Sequence, residues 1–135
     1  MPGVFSYGKE EKLKSRKLVE QLFGKGKSFT LFPLKIIYLV EMGPLDHPVK
    51  AGVSAPAKIF RKAVQRNRVK RLLREAYRTE KLPLLEYLNV NGKQVIFFIL
   101  YVDKTMPVFT TIKNKMAQAM QRLIKEMNDV AVENT

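Results

Sequence analysis

The 135-residue chain contains no cysteine and no tryptophan, and its single histidine is His47. The absence of thiols excludes disulfides, thiolate zinc sites and a cysteine nucleophile. One histidine also excludes a histidine-rich metal site and a Ser–His triad with a spare base. The longest wholly apolar run, Val95–Val102, has eight residues, which is far short of a membrane span.

Acidic side chains are scarce, which leaves the chain strongly positive. The 25 Lys and Arg residues face 12 Asp and Glu residues, a formal net charge of +13, and 46% of the residues are hydrophobic. That apolar fraction is too high for a disordered basic tail, so we expect one folded domain over residues 1–135, with flexible ends at 1–12 and 128–135. The first 30 residues lack the apolar stretch of a secretory signal, so we expect a soluble, cytoplasmic protein.

The positive charge is concentrated in the middle of the sequence. Residues 50–78 carry ten basic side chains against the single acid Glu75, which gives +9 of the net +13. A surface built only for solubility mixes signs, whereas a one-signed stretch creates a field that attracts nucleic acid. Six of the eight basic residues within 61–78 are arginines, whose planar guanidinium can hold a phosphate and stack on a base. The stretch therefore predicts a polyanion-binding surface.

The first half of the chain predicts one helix followed by strands. Ser15 is a suitable N-cap for a helix that ends at the glycines of residues 24–26. Its apolar stripe comprises Leu18, Val19, Leu22 and Phe23. Residues 34–40 and 49–55 favour strands, and their short connection indicates antiparallel pairing. A further strand can lie among residues 28–33.

The second half predicts two longer helices around one buried strand. Residues 61–78 favour a helix with an apolar face and an opposite arginine face. Residues 80–93 form a connection with a helical turn at 84–88, and the strand 95–102 is apolar on both faces, so it should be central and covered by helices. A last helix begins after Thr110 or Thr111. Its predicted core stripe is Ile112, Met116, Ala119, Met120, Leu123 and Met127. These elements define an α+β fold with helices packed against one sheet.

The carboxylates do not form a catalytic pattern. The twelve acids show no D-x-D or E-x-x-H spacing, and the chain has no phosphate-binding glycine loop. Asp103, directly after the central strand, is the one acid placed as a nuclease metal ligand would be, although a turn residue is the simpler interpretation. The sequence therefore points to binding, with no catalytic side chain and no metal ligand on the protein.

Several aromatic side chains near the first helix and strand are candidates for stacking on unpaired bases. They are Phe23, Phe29, Phe32 and Tyr38. For any one of them, filling the core is the simpler interpretation. Tyr38 is the strongest candidate for a ligand contact, because its hydroxyl favours a polar partner.

The basic stretch carries a recognisable pattern. Residues 61–78 read R-K-A-V-Q-R-N-R-V-K-R-L-L-R-E-A-Y-R, which resembles the R-N-R-x-K-R-x-x-R signature of the bacterial ribonuclease P protein component family. G-V-S-A-P-A-K at 52–58 resembles the preceding strand of that family, and L-K-S-R-K-L-V-E-Q-L-F-G-K-G-K at 13–27 resembles its first helix. The resemblance covers roughly residues 10–125.

The resemblance implies a fold and a function. The fold would be an α+β two-layer sandwich of order αβββαβα, with a left-handed β-α-β crossover through the arginine-rich helix (ribosomal protein S5 domain 2-like). The protein would be the accessory subunit of ribonuclease P, which removes the 5′ leader from precursor tRNA. The catalytic RNA would perform the hydrolysis with Mg²⁺. Membrane and DNA partners are not expected.

The resemblance also assigns residues. The basic helix would bind the catalytic RNA through Arg61, Lys62, Arg66, Asn67, Arg68, Lys70, Arg71, Arg74 and Arg78. A leader cleft between the sheet and the first helix would use Phe23, Tyr38, Ser54 and Lys58. The family usually has an aromatic residue at the position of Val19, so one stacking ring is either lost or supplied by Phe29 or Phe32. The alternatives are a structural RNA-binding protein of the ribosome and an architectural DNA-binding protein with the helix in a major groove.

Overall fold

A computed structural model describes residues 12–41 and 48–133 of the chain. The elements are α1 (Arg16–Lys25), β1 (Lys27–Leu31), β2 (Leu34–Glu41), β3 (Val49–Ser54), α2 (Ala63–Glu80), α3 (Leu82–Asn91), β4 (Gln94–Tyr101) and α4 (Phe109–Glu133). This order confirms the α+β class. It adds a complete helix, α3, where the sequence predicted one helical turn. Pro83 is accommodated in the first turn of α3, and Gly92, with a φ of 62°, ends it in the left-handed region.

The four strands form one mixed sheet of order β1-β2-β4-β3. β1 and β2 form an antiparallel hairpin, β2 pairs antiparallel with β4, and β3 pairs parallel with β4. The expected strand among residues 28–33 and the central position of β4 are both confirmed. The predicted antiparallel pairing of residues 49–55 with 34–40 is wrong, because β1 and β4 occupy both edges of β2. The chain connects β3 to β4 through α2 and α3, and the hand of this crossover stays a prediction.

The main core lies between one face of the sheet and helices α2, α3 and α4. The strands contribute alternate residues to it, including Ile36 on β2 and Phe97 on β4. The whole apolar stripe of α4 is buried there, which confirms the sequence interpretation of its methionines. On α2, Val69, Leu73 and Ala76 are buried, so the helix is anchored through its second half.

Helix α1 covers part of the opposite face of the sheet. Leu22 packs with Ile96 of β4 and with Leu13, which precedes the helix. Because both faces of β4 are covered, its side chains can be apolar throughout, and α1 adds a partial third layer to the expected sandwich. The hydroxyl of Ser15 accepts a hydrogen bond from the amide of Leu18 at 3.3 Å, which confirms the predicted N-cap.

The predicted flexible ends are only partly covered by the structure. Residues 1–11 and His47 lie outside the described residues. Lys12 forms a bridge to Ala51, and α4 continues to Glu133. The flexibility of both ends stays a prediction. Within the described ranges, no helix is both long enough and apolar enough to cross a membrane.

Candidate RNA-binding groove

The segment before α1 runs alongside the outer edge of β3. Lys12 pairs in parallel with Ala51, and the amide of Leu13 donates a hydrogen bond to the Ala51 carbonyl at 3.0 Å. Leu13 is buried while Lys14 is exposed, as expected for a strand-like segment with alternating sides. The pairing fixes a lysine on either side of a buried leucine at the edge of the sheet.

An open concavity of about 720 Å³ separates this segment from α2. We call it the basic groove. It is lined by Lys12, Leu13, Lys14, Gly52, Val53, Asn67, Arg71, Arg74, Glu75, Arg78 and Phe98. Its lysines come from the segment before α1 and its arginines from α2, and we call these the lysine wall and the arginine wall; the sheet supplies Gly52, Val53 and Phe98, which we call the floor. Such a groove can hold a negatively charged chain at its walls and an apolar or aromatic group at its floor.

The arginine wall follows from helical periodicity. Asn67, Arg71, Arg74 and Arg78 recur at intervals of three or four residues and therefore share one face of α2. The buried face of the same helix packs into the main core, so the arginine face must point outwards. Sequence reasoning predicted this face, and the structure places these four residues together in the groove.

Arg78 has a partner within the groove. Its guanidinium forms an ion pair with Glu75, including a hydrogen bond from Nε to Oε2 at 3.2 Å. The hydrogen bond from Arg78 lowers the pKa of Glu75, and the same bond raises the pKa of Arg78. Glu75 therefore stays ionised and offsets part of the positive charge of the wall.

Arg66 has a structural contact that the sequence did not reveal. Its Nη1 donates hydrogen bonds to the carbonyl oxygens of Phe60 at 2.9 Å and Arg61 at 2.8 Å. These bonds tie the turn before α2 to the first turn of the helix. Arg66 therefore fixes the start of α2, whatever else it contacts.

The remaining basic residues of the signature lie outside the groove. Arg61 and Lys62 are exposed at the start of α2, and Lys70 is half-buried. Arg68 lies in a second, shallow concavity of about 510 Å³ together with Val64, Asn67, Arg71 and Leu72. Asn67 and Arg71 line both concavities, so they form the ridge between them.

Phe23 and Ser54 lie on the α1 side of the sheet. Phe23 is 53% exposed on α1, and its ring centroid is 5.6 Å from that of Phe98 on β4. On β3, Ser54 shares a face with Gly52, since side chains alternate and Gly52 contacts Phe98. Lys58 is exposed in the turn after β3. None of the three lines the basic groove itself, although Phe23 contacts Phe98, which does.

Tyr38, a predicted leader-cleft residue, does not line the basic groove. Its side chain is only 3% exposed and lies on the α4 side of the sheet, with its ring 6.0 Å from Phe29 and its hydroxyl 3.4 Å from Oε2 of Glu126. Burial and the neighbouring Glu126 raise the pKa of Tyr38 to about 12. The adjacent Ile37 packs on the α1 side instead, because a step of one residue along a strand reverses the face.

Neither Phe29 nor Phe32 lines the basic groove. Phe29 is buried beneath α4, with the guanidinium of Arg122 over its ring at 5.3 Å. Phe32 is 60% exposed but lines a different concavity, next to Tyr101. Sequence reasoning missed Phe98, which belongs to an apolar run whose two faces cannot be distinguished without the strand register. It also missed the lysine wall, Lys12 and Lys14.

No part of the described chain offers a metal centre. Among residues 12–41 and 48–133, no three His, Cys, Asp or Glu side chains come together in a way that could hold an ion. Asp103 accepts hydrogen bonds from the amide of Thr105 at 3.3 Å and from its hydroxyl at 3.1 Å, so it is the turn residue that the simpler interpretation expected.

A small α+β domain with a predominantly basic helix, and with an aromatic ring in the groove beside it, has the features of a nucleic-acid-binding protein. Residues 7–127 match the family model described as Ribonuclease P. Ribonuclease P protein components of two Porphyromonas gingivalis strains are 33% identical over 133 residues and 35% identical over 136, each covering 98% of this chain and 97% of the relative. The chain belongs to the bacterial ribonuclease P protein component family.

Solved structures agree on the fold. The ribonuclease P protein from Thermotoga maritima superposes with a TM-score of 0.63 at 23% identity, covering 83% of this chain and 96% of that one. A Staphylococcus aureus ribonuclease P protein mutant gives a TM-score of 0.66 at 19% identity, covering 87% and 90%.

Family membership confirms the function that the resemblance implied. The protein is an accessory subunit of the ribonucleoprotein endoribonuclease that processes the 5′ end of tRNA, in which the RNA is the catalyst. Its partners are the ribonuclease P RNA and precursor tRNA. The ribosomal and DNA-binding alternatives are thereby overturned.

Proposed function

We propose that this subunit holds two RNAs at once, the catalytic RNA on the outer side of α2 and the 5′ leader in the basic groove. The observation that carries the proposal is the groove itself, which brings Lys12, Lys14, Arg71 and Arg74 together with the ring of Phe98. A single strand fits this arrangement because its phosphates can lie against the walls while a base reaches the floor. Leader binding then depends on shape and stacking more than on sequence.

The outer side of α2 is suited to a structured RNA. Its contacts would come from Arg61, Lys62, Arg68 and Lys70, with Asn67 and Arg71 shared between the two RNAs. Among the described residues, no carboxylate pairs with Arg68, Arg71 or Arg74. These charges can therefore neutralise phosphates directly.

The leader would extend from the groove towards α1, past the contact between Phe98 and Phe23. Phe23, Ser54 and Lys58 would contact the leader along this extension, and Tyr38 would not. Arg66 would act through the start of α2, since its Nη1 is held by two carbonyl oxygens. The chain would work as a single RNA-binding domain.

The chemistry comes from the RNA. Two polyanions repel each other, and a protein with a net charge of +13 placed between them lowers that repulsion. Mg²⁺ would be held by the RNA subunit, since the described residues offer no cluster of ligands for it. We place the reaction in the cytoplasm.

The test measures the affinity for precursor tRNA with and without its leader, in the presence of the catalytic RNA. The expected result is a leader-dependent gain that falls when Lys14→Ala and Arg74→Ala are combined. The matched control combines Lys104→Ala with Lys125→Ala, which removes the same charge from exposed positions outside the groove. Equal affinities for both substrates with the native protein would overturn the proposal.

A further inference from the structure

Phe98 occupies the floor of the basic groove. It extends from the α1 side of β4 and is the only aromatic residue among the described residues that line the groove. Lys12, Lys14, Arg71 and Arg74 line the same groove as this ring. An aromatic ring in a groove lined by cationic side chains can bind a base together with its flanking phosphates.

The ring of Phe98 lies against Phe23 without forming a flat stack. The two ring centroids are 5.6 Å apart, and the ring planes are inclined at 52°. A tilted aromatic pair of this kind is attractive and holds its rings in place. Phe23 therefore braces Phe98 from the α1 side, so the ring on the groove floor is held before any ligand arrives.

Gly52 makes room for this ring. It stands opposite Phe98 in the parallel register of β3 and β4. A Cβ atom at this position would lie 2.7 Å from Cε2 of Phe98, 2.9 Å from Cζ and 3.0 Å from Cδ2. Real Cβ atoms do not approach other atoms so closely, so any side chain here would displace the ring.

The backbone of Gly52 does not itself require glycine. Among the described glycines, only Gly92 has a positive φ. Glycine within a strand is otherwise unfavourable, and it marks a place where another group approaches the backbone closely. Here that group is the ring of Phe98.

Resting on the proposed leader groove, we infer that Phe98 is the surface on which one unpaired leader base stacks. Gly52 is a positioning residue that keeps the ring in the groove floor. The ligand is a single unpaired nucleotide of the leader, of any base, because stacking uses the ring face and not the hydrogen-bonding edge.

The experiment places 2-aminopurine, one position at a time, along the leader of precursor tRNA and adds it to the holoenzyme. With the native protein, one position should show strong fluorescence quenching on binding. Phe98→Leu keeps the apolar volume but removes the ring, so the quenching at that position should disappear and the leader-dependent affinity should fall about tenfold. Gly52→Ala should reduce the quenching at the same position, because the new methyl group displaces the ring.

Two further variants make the result specific. Phe32→Leu removes an exposed ring from a different concavity and should change neither the quenching nor the affinity. Phe98→Tyr keeps a ring and should retain the quenching. If Phe98→Leu does not fold, Gly52→Ala carries the test, and quenching that it leaves unchanged would overturn the role of Phe98.

The outcomes separate the two proposals. A leader-dependent affinity gain that survives in Phe98→Leu with its quenching pattern unchanged would overturn the role of Phe98 and leave the groove intact. Loss of quenching in Phe98→Tyr equal to that in a folded Phe98→Leu would also overturn it. If the native protein shows no leader-dependent gain, the proposed function itself fails.

Discussion

The hydroxyl of Tyr38 lies 3.4 Å from Oε2 of Glu126, on the side of the sheet that faces α4. Glu126 also accepts a hydrogen bond from Nε of Arg122 at 2.7 Å, and this bond lowers the pKa of the carboxyl group. Tyr38 thus joins β2 to α4 through a polar contact at the edge of the main core. The contact is part of the scaffold and lies on the opposite side of the sheet from α1.

Replacing Tyr38 should therefore change the free energy of unfolding without changing the affinity for the leader. The folded-state pKa of about 12 exceeds the ordinary value of 10.0, so folding favours the protonated phenol. This contribution is fully present below pH 10 and is lost as the pH rises towards 12; a shift of that size corresponds to about 2–3 kcal/mol. Tyr38→Phe should show a smaller loss of unfolding free energy over this range and unchanged leader-dependent affinity. Parallel pH profiles for the two proteins, or weaker leader binding by the variant, would contradict this assignment.

Arg66 and Arg74 should behave differently although both belong to the arginine signature. Arg66→Gln removes charged donors from the carbonyl groups of Phe60 and Arg61 and should lower the free energy of unfolding by about 1–3 kcal/mol. Arg74→Gln changes an exposed side chain and should stay within about 0.5 kcal/mol of the native protein. Urea unfolding of both variants measures the difference. Equal stabilities would show that the bonds of Arg66 do not fix the start of α2.

We expect Glu75 to lower the affinity of the basic groove for RNA, because its negative charge lies among the arginines of the groove. Glu75→Gln removes the only acid of the stretch 50–78, so RNA affinity should rise. The slope of log affinity against log salt should steepen by about 0.7–0.9, because one more phosphate can be neutralised. Glu80→Gln is the matched control, since it also removes one negative charge from α2, but Glu80 pairs with Lys113 of α4. If both variants gained the same RNA affinity, net charge alone would explain the effect, and the specific role of Glu75 in the groove would be contradicted.

The outer side of α2 should control assembly with the catalytic RNA. Arg68→Ala combined with Arg71→Ala removes two exposed charges and should weaken binding of the catalytic RNA at every salt concentration. The salt slope should become shallower, since fewer counterions are released, and circular dichroism should show an intact fold. Binding that stays at the native level throughout a salt titration would refute the role of this surface.

The sequence predicted the parts of the structure that local periodicity controls. The two faces of α2, the buried methionines of α4 and the N-cap at Ser15 all follow from spacing along one helix. The sequence did not predict which strands pair with each other over long distances in the chain. The short connection suggested that β3 would pair with β2, whereas β3 pairs with β4, an arrangement set by packing across the whole sheet.

The same limit applies to the basic groove: the sequence predicted the part formed by one helix and missed the parts that depend on strand pairing. Its arginine wall lies on one helix and was found, but its floor and lysine wall depend on strand register. Ile37 and Tyr38 are both apolar enough for either face, and only the structure decides which of them faces α1. The pairing of Gly52 with Phe98 has no local signal at all, because the two residues are joined only by the β3–β4 register.

The absence of cysteine makes the most direct test simple, because one introduced cysteine gives a unique point of attachment for a photo-crosslinker. Three separate variants are assembled with catalytic RNA and precursor tRNA: Lys14→Cys in the groove, Arg68→Cys on the outer side of α2, and Lys115→Cys in the unrelated concavity on α4. The account predicts crosslinks to the leader from position 14, to the catalytic RNA from position 68, and to neither from position 115. Leader crosslinks from position 115 as strong as those from position 14, or none from position 14, would contradict it.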